Sequence, residues 1–244
     1  MRVILVSYHK ERGHQSLVSV ITCTIREEYM ENVFENFSRQ HSETKELIVI
    51  LNKDSMNINN WLEKAESYRN VSIYQLPQNT TLGECLNFGI KLAKHPYIAK
   101  FDDDDYYSPY YLSQQIEALE KTDAAIVGKS TSFIYFEGSE SLNLFYPGFE
   151  DRYVTFIRGA TLTFRKELWE ECHFTNVNTG EDSGFLSYCL KKGYKIYATN
   201  RYNFVNNRRA DANSHSITSI HNYVNHSTVI CKTDDYRPLV TKSS

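Results

Sequence analysis

Leu47-Ile48-Val49-Ile50-Leu51 is an uninterrupted apolar run between Glu46 and Asn52. Successive side chains of a strand point to opposite faces, so this run demands cover on both sides. That is the pattern of a central strand in a parallel sheet sandwiched by helices. The flanking segments agree with it. Leu17–Ile21 reads as a buried strand, and Met30, Val33, Phe34 and Phe37 recur at helical spacing between Glu27 and Gln40. A short helix around Trp61, Leu62, Ala65 and Tyr68 precedes a strand over Val71–Leu76. A helix carrying Leu82, Leu86, Ile90 and Ala93 then leads to a strand over Tyr97–Phe101. Strand and helix alternate throughout, which predicts a doubly wound α/β half.

Beyond residue 123 the pattern loosens. Ala124–Val127 reads as one more strand, and Ser130–Phe136 and Tyr153–Phe164 are β-rich. A helix carrying Phe185, Leu186, Cys189 and Leu190 ends at Gly193, a C′ glycine, before a strand over Tyr194–Ala198. The polar, histidine-dotted tail from Asn206 has no clear element. The expectation is one domain over residues 1–244, with an extension at 1–16, an α/β front at 17–122, a mixed back at 123–205 and a C-terminal segment at 206–244. A polar end without a final element also suits one piece of a longer protein.

Composition removes several function classes. The 27 Lys and Arg against 30 Asp and Glu leave a net charge of −3, without the basic excess of a nucleic-acid binder. The run Val3–Val6 is too short for a signal-peptide core, and no stretch approaches membrane-spanning length. The five cysteines are odd in number and lack a C-x-x-C pair, which suits a reducing, cytoplasmic setting and buried thiols.

Against that balanced background one feature is anomalous: Asp102-Asp103-Asp104-Asp105. The run follows a buried strand directly, at the edge where open α/β sheets bind ligands. Two carboxylates about 4 Å apart repel by about 4 kcal/mol near a protein surface, so four together need a cation or hydrogen-bond donors. Mg²⁺ and Mn²⁺ select such oxygens. Helix capping is the competing explanation, but Ser108-Pro109 already supplies a cap for the expected helix Pro109–Glu120. A solvated acidic loop remains open on composition alone.

Five segments, in order, resemble glycosyltransferase family 2, which has the GT-A fold. They are Leu17–Thr24 (LVSVITCT), Glu46–Asn52 (ELIVILN), Leu82–Ile90 (LGECLNFGI), Tyr97–Pro109 (YIAKFDDDDYYSP) and Gly180-Glu181-Asp182 ahead of Lys191-Lys192-Gly193-Tyr194. The resemblance spans about residues 17–200, and the DxD-bearing segment is its most specific part. It implies a GT-A fold and metal-dependent, inverting transfer of a sugar from a nucleotide diphosphate by single displacement. A UDP- or dTDP-linked donor is favoured, with Mn²⁺ or Mg²⁺ as the cation.

By carry-over, Thr24, Arg26, Asn52, Asn87, Asp102 and Asp103 would contact the nucleotide, and Asp104 with Asp102 would hold the metal. Asp182 would be the catalytic base that takes the acceptor proton, with Glu181 beside it. Thr179-x-x-Asp182 can also be read as a capping-box variant. In many GT-A enzymes a late segment closes over the diphosphate. Arg209 could pair there with phosphate oxygens and His215 could ligate the metal; solvated loop charges are the alternative for each.

Three positions depart from the family pattern. Arg26 stands where Asn is common, Cys23 where Pro is frequent, and Asn52 where an Asp reads the pyrimidine N3–H. The aromatic segment Ser130–Arg152, with Phe133, Tyr135, Phe136, Phe145, Tyr146 and Phe149, would shape the acceptor side or pack as a hairpin. The implied acceptor is a cell-surface, spore-coat or polysaccharide glycan, with some similarity to Bacillus spore-coat and crust maturation enzymes. The alternative is a catalytically degenerate GT-A domain that binds nucleotide or glycan as a scaffold.

Overall fold

A computed structural model describes residues 17–42, 44–209 and 220–243. The extension at 1–16 and His215 lie outside the described residues.

The front half alternates as the periodicity predicts. β1 (Val18–Thr24) leads through a single 3₁₀ turn to α1 (Met30–Ser38). β2 (Lys45–Leu51), α2 (Ile58–Ala65), β3 (Val71–Gln75), α3 (Leu82–Leu92) and β4 (Tyr97–Lys100) follow. These four strands are parallel, in the order β3-β2-β1-β4. The apolar run of β2 divides by parity. Leu47, Val49 and Leu51 join Val33, Phe34, Phe37 and Trp61 on one face. Ile48 and Ile50 join Cys85, Leu86 and Ile90 on the other. Helix α3 starts on a capping box in which Thr81 and Glu84 satisfy each other's backbone donors.

A two-residue strand β5 (Tyr106–Tyr107) and α4 (Tyr111–Lys121) follow the acidic run. The helix begins two residues later than Ser108-Pro109 predicts. Ser108 Oγ accepts the Tyr110 N–H but also donates to Asn203 at 2.7 Å, so its hydroxyl anchors the loop across the fold. The back half supplies β6 (Ile126–Gly128), β7 (Ser132–Phe136), β8 (Ser141–Phe145), β9 (Arg152–Val154) and β10 (Thr163–Arg165). Then come α5 (Lys166–Glu171), α6 (Glu181–Lys191) and β11 (Ile196–Ala198). Strands β10, β6, β11 and β9 extend the first sheet to eight, with β10 antiparallel to both neighbours. Gly193, at φ +89°, ends the α6 segment as expected.

The tail that gave no clear pattern contains β12 (Phe204–Arg208), α7 (Ile220–Asn225), β13 (Ser227–Lys232) and α8 (Arg237–Val240). It builds a second sheet in the order β13-β8-β7-β12-β5, with Phe133, Tyr135, Leu142, Leu144 and Val205 at its core. All five cysteines are free thiols. Among the described residues no helix is long and apolar enough to cross a membrane.

One close approach ties the halves together. A Cβ on Gly83 would lie 1.8 Å from the Thr175 carbonyl oxygen. Gly83→Ala should therefore lower Tm even though Ala is the better helix former. Overpacking of this kind costs about 1–3 kcal/mol, about 2–4 °C in Tm for each kcal/mol at this size. An unchanged or raised melting temperature in a thermal scan would contradict the packing.

Candidate active site

β1 is flanked by β2 and β4, so the sheet order reverses beside it, the switch point where open α/β sheets open a crevice. The register pairs Ile21 with Lys100 in parallel. Three residues further along each strand, Thr24 and Asp103 arrive side by side, and the Thr24 hydroxyl donates to the Asp103 carboxylate. Backbone geometry alone thus brings the loop after β1 against the acidic run.

The four aspartates do four different things. Asp102 is the most open, its side chain 36% exposed, and it pairs with the Lys100 ammonium. Asp103 is buried and receives Arg26 in bidentate fashion, with Nε at 3.1 Å and a second, shorter contact from Nη2. Asp104 Oδ2 takes Arg26 Nη1 at 3.0 Å and Arg209 Nη2 at 3.4 Å. Asp105 is fully buried, and its Oδ1 accepts from Asn206 Nδ2 at 2.7 Å and the Asn207 N–H at 3.1 Å. Its Oδ2 is buried without a hydrogen-bond partner. The loop backbone is also held. Asn32 donates to the carbonyls of Asp103 and Asp105, Asn36 to that of Asp105, and Asn207 to that of Asp104.

The repulsion in the run is therefore offset from within the chain. Burial works against the Arg26 charge, but Asp103 and Asp104 outweigh it and hold the guanidinium firmly protonated. Burial likewise opposes the charge on Lys100, and Asp102 and Glu181 outweigh it. For Asp105, burial and the neighbouring carboxylates push the carboxyl well above its usual range. Tyr29 underlies the cluster, with Arg26 4.6 Å and Arg209 5.2 Å from its ring centroid.

Across the crevice stands the N-terminus of α6. Gly180, at φ +82°, is its N-cap, and no side chain caps it. The capping-box alternative for Thr179 and Asp182 is thus not formed; Asp182 Oδ1 instead accepts the N–H of the adjacent Ser183 at 2.6 Å. Glu181 is buried, its carboxyl raised by burial and opposed by Lys100. Asp182 is half-buried and lies against Gly159, whose missing side chain leaves room for the carboxylate. Tyr107 joins the two sides. Its hydroxyl accepts the Asp102 N–H at 2.8 Å and donates to the Ala160 carbonyl at 2.6 Å, next to Gly159.

Two other expected residues are otherwise engaged. Asn87 donates to the Phe174 carbonyl and accepts from Trp169 Nε1 and the Phe174 N–H. Its amide packs α3 against the segment after α5. Asn52 lies at the rim, its Nδ2 donating to the Pro77 carbonyl at 2.8 Å. Lys100, Tyr107 and Gly159 were missed, and so were Asn206 and Asn207. Lys100 in an apolar strand was the available signal; Tyr107, Asn206 and Asn207 meet the site through the second sheet, and Gly159 through its contact with Asp182.

A depression of about 350 Å³ lined by Ile25, Glu27, Lys53, Ser55, Met56 and Asn57 opens beyond the ends of β1 and β2. A groove of about 430 Å³ runs along α6 from Ser183, past Leu186 and Ser187, to Lys191, with Phe156 as its wall. Among the described residues no three His, Cys, Asp or Glu side chains converge as a ready cage for a metal. Asp102 and Asp104 nonetheless offer hard carboxylate oxygens at one edge, the donor type that Mg²⁺ or Mn²⁺ takes together with substrate phosphates.

The profile of glycosyl transferase family 2 matches residues 19–178. No curated protein sequence matches the chain. Among solved structures, S. aureus TarS 1-349 in complex with UDP-GlcNAc is similar at TM-score 0.63 and 17% identity, over 82% of this chain and 62% of that one. The mannosyltransferase PcManGT from Pyrobaculum calidifontis, in complex with GDP-Man and Mn²⁺, is similar at TM-score 0.59 and 15% identity. That match covers 78% of this chain and 56% of the other. The chain thus spans less than two thirds of either structure, and identities this low speak to the fold, the mixed α/β GT-A architecture.

Proposed function

The chain belongs to glycosyl transferase family 2, and we propose that it is a metal-dependent, inverting nucleotide-sugar glycosyltransferase. The observation that carries this reading is the juxtaposition of the Asp102–Asp105 loop with Glu181 and Asp182 across the sheet's switch point. Donor and acceptor machinery face each other there, with Lys100 between them.

The nucleotide lies over the ends of β1 and β2, where the depression is lined by Ile25 and Lys53, chain neighbours of Thr24, Arg26 and Asn52. UDP- or dTDP-linked sugars are the favoured donors; the UDP-GlcNAc bound by TarS supports this choice. Asp104 and Asp102 would hold a divalent cation, whose chemistry there would be to offset charge developing on the departing diphosphate. The Mn²⁺ in the PcManGT structure supports that assignment. Arg209, and Arg26 once released from Asp104, supply guanidinium donors to phosphate oxygens. Asp182 accepts the proton of the attacking acceptor hydroxyl, and the oxygen displaces the diphosphate from the opposite face of the anomeric carbon. Glu181, buried beside Lys100, fixes the first turn of α6 that carries the base. The acceptor is a cell-surface, spore-coat or polysaccharide glycan that enters along the groove beside α6.

Titrating UDP, dTDP, GDP and CDP with and without Mn²⁺ tests the donor half. Uridine or thymidine diphosphate should bind markedly tighter with Mn²⁺ present; no metal-dependent binding of any nucleotide would overturn the proposal. The scaffold reading has one observation in its favour, the occupation of Asp104 by two guanidinia. Hydrolysis or transfer of a bound nucleotide sugar decides against it.

A further inference from the structure

Arg26 and Arg209 both reach the same atom, Asp104 Oδ2, at 3.0 and 3.4 Å. Arg26 at the same time holds both oxygens of Asp103. The cluster is sheltered: the side chains of Arg26, Asp103, Asp104 and Arg209 are 24%, 5%, 15% and 14% exposed. Such a site is screened far less than an open surface pair. A divalent ion on Asp104 Oδ2 would sit within a few ångströms of two guanidinium groups. It would have to displace them or bear their repulsion.

We infer that Arg26, with Arg209, makes cation binding conditional on the donor: Asp104 is released to a metal only when a diphosphate draws the guanidinia away. This rests on the proposal that Asp104 is the metal ligand. The chemistry of exchange is balanced in charge. Without donor, the guanidinia neutralise the carboxylates. With donor, phosphate oxygens take the guanidinia as bidentate partners, and the cation takes the carboxylate together with a phosphate oxygen. Arg26 lies two residues past Thr24, the last residue of β1, at the cap of the following 3₁₀ turn, so the exchange calls for a rotation of its side chain from Asp104 toward the crevice. By linkage, the factor by which donor tightens the cation equals the factor by which the cation tightens donor, typically about 5–150-fold.

The test reads free Mn²⁺ by its electron paramagnetic resonance signal, so it does not depend on turnover. Wild-type protein should bind Mn²⁺ alone weakly, and saturating UDP should tighten it by about tenfold or more. Arg26→Gln, which keeps a hydrogen-bond donor for Asp103, should bind Mn²⁺ alone more tightly than wild type and gain less from UDP. Wild-type protein that binds Mn²⁺ equally well with and without UDP overturns the inference. So does an R26Q protein no better at binding Mn²⁺ alone. If R26Q fails to fold by circular dichroism, Arg209→Gln gives the same comparison on the same oxygen. Absence of UDP binding under every condition defeats the donor assignment instead, and the comparison of Mn²⁺ alone between wild type and variant still decides the role of Arg26.

Discussion

Asp182→Asn should abolish transfer and leave donor binding nearly unchanged. The substitution keeps the size of the side chain and removes only its capacity to take a proton. Loss of a positioned general base costs about 10²–10⁴-fold in rate. The donor, by contrast, is assigned to the Thr24–Arg26 loop and the acidic run, on the other side of the crevice. Steady-state kcat, the Kd for nucleotide and a melting curve separate the outcomes. Retained kcat would remove Asp182 from the mechanism. Lost nucleotide binding, or a large fall in Tm, would make it a structural residue of the α6 start, where its Oδ1 accepts the Ser183 N–H.

Gly159→Ala should imitate that loss without touching a polar group. A Cβ at Gly159 would fall 1.8 Å from Asp182 Oδ2, 2.7 Å from its Cγ and 2.9 Å from its Cβ. The first two contacts are relieved when the carboxylate swings away, and the contact with Cβ needs only a small shift at the start of α6. A displacement of about 1 Å at a reacting group can cost about 10²-fold in rate, so kcat should fall by that order while donor Kd and Tm hold. In an Asp182→Asn background the same change should cost almost nothing more, because both act on one group. Additive losses in the double variant would show that Gly159 serves something other than the base.

Much of the fold was legible in the sequence because its signals are local. The Leu47–Leu51 run specifies a strand covered on both faces, and its parity alone assigns Leu47, Val49 and Leu51 to one core and Ile48 and Ile50 to the other. The acidic run was placed correctly at a strand end. Its members were not distinguishable there, because four identical side chains carry no sign of which neighbour each will meet. The structure makes Asp103 and Asp105 buried anchors and leaves Asp102 and Asp104 nearer the crevice. The motif around Asn87 likewise carries no sign of the partners its amide serves, Trp169 and Phe174, 82 and 87 residues away.

The tail was illegible for a different reason. Phe204–Arg208 is a short strand whose alternation is masked by Asn206 and Asn207, and those two amides are spent on Asp105 and the Asp104 carbonyl. Residues whose side-chain partners lie 29 to 103 positions away leave no local pattern.

What the sequence determined by itself is the alternation of strands and helices, the crevice at the end of β4 and the family. Each follows from periodicity or from a motif within a dozen residues. What only the tertiary structure decided is the charge state of the site. Arg26 is close to Asp103 because β1 and β4 pair in register, and Arg209 reaches Asp104 because β12 lies beside β5. Coulomb energy depends on distance through space, and a linear sequence records only distance along the chain.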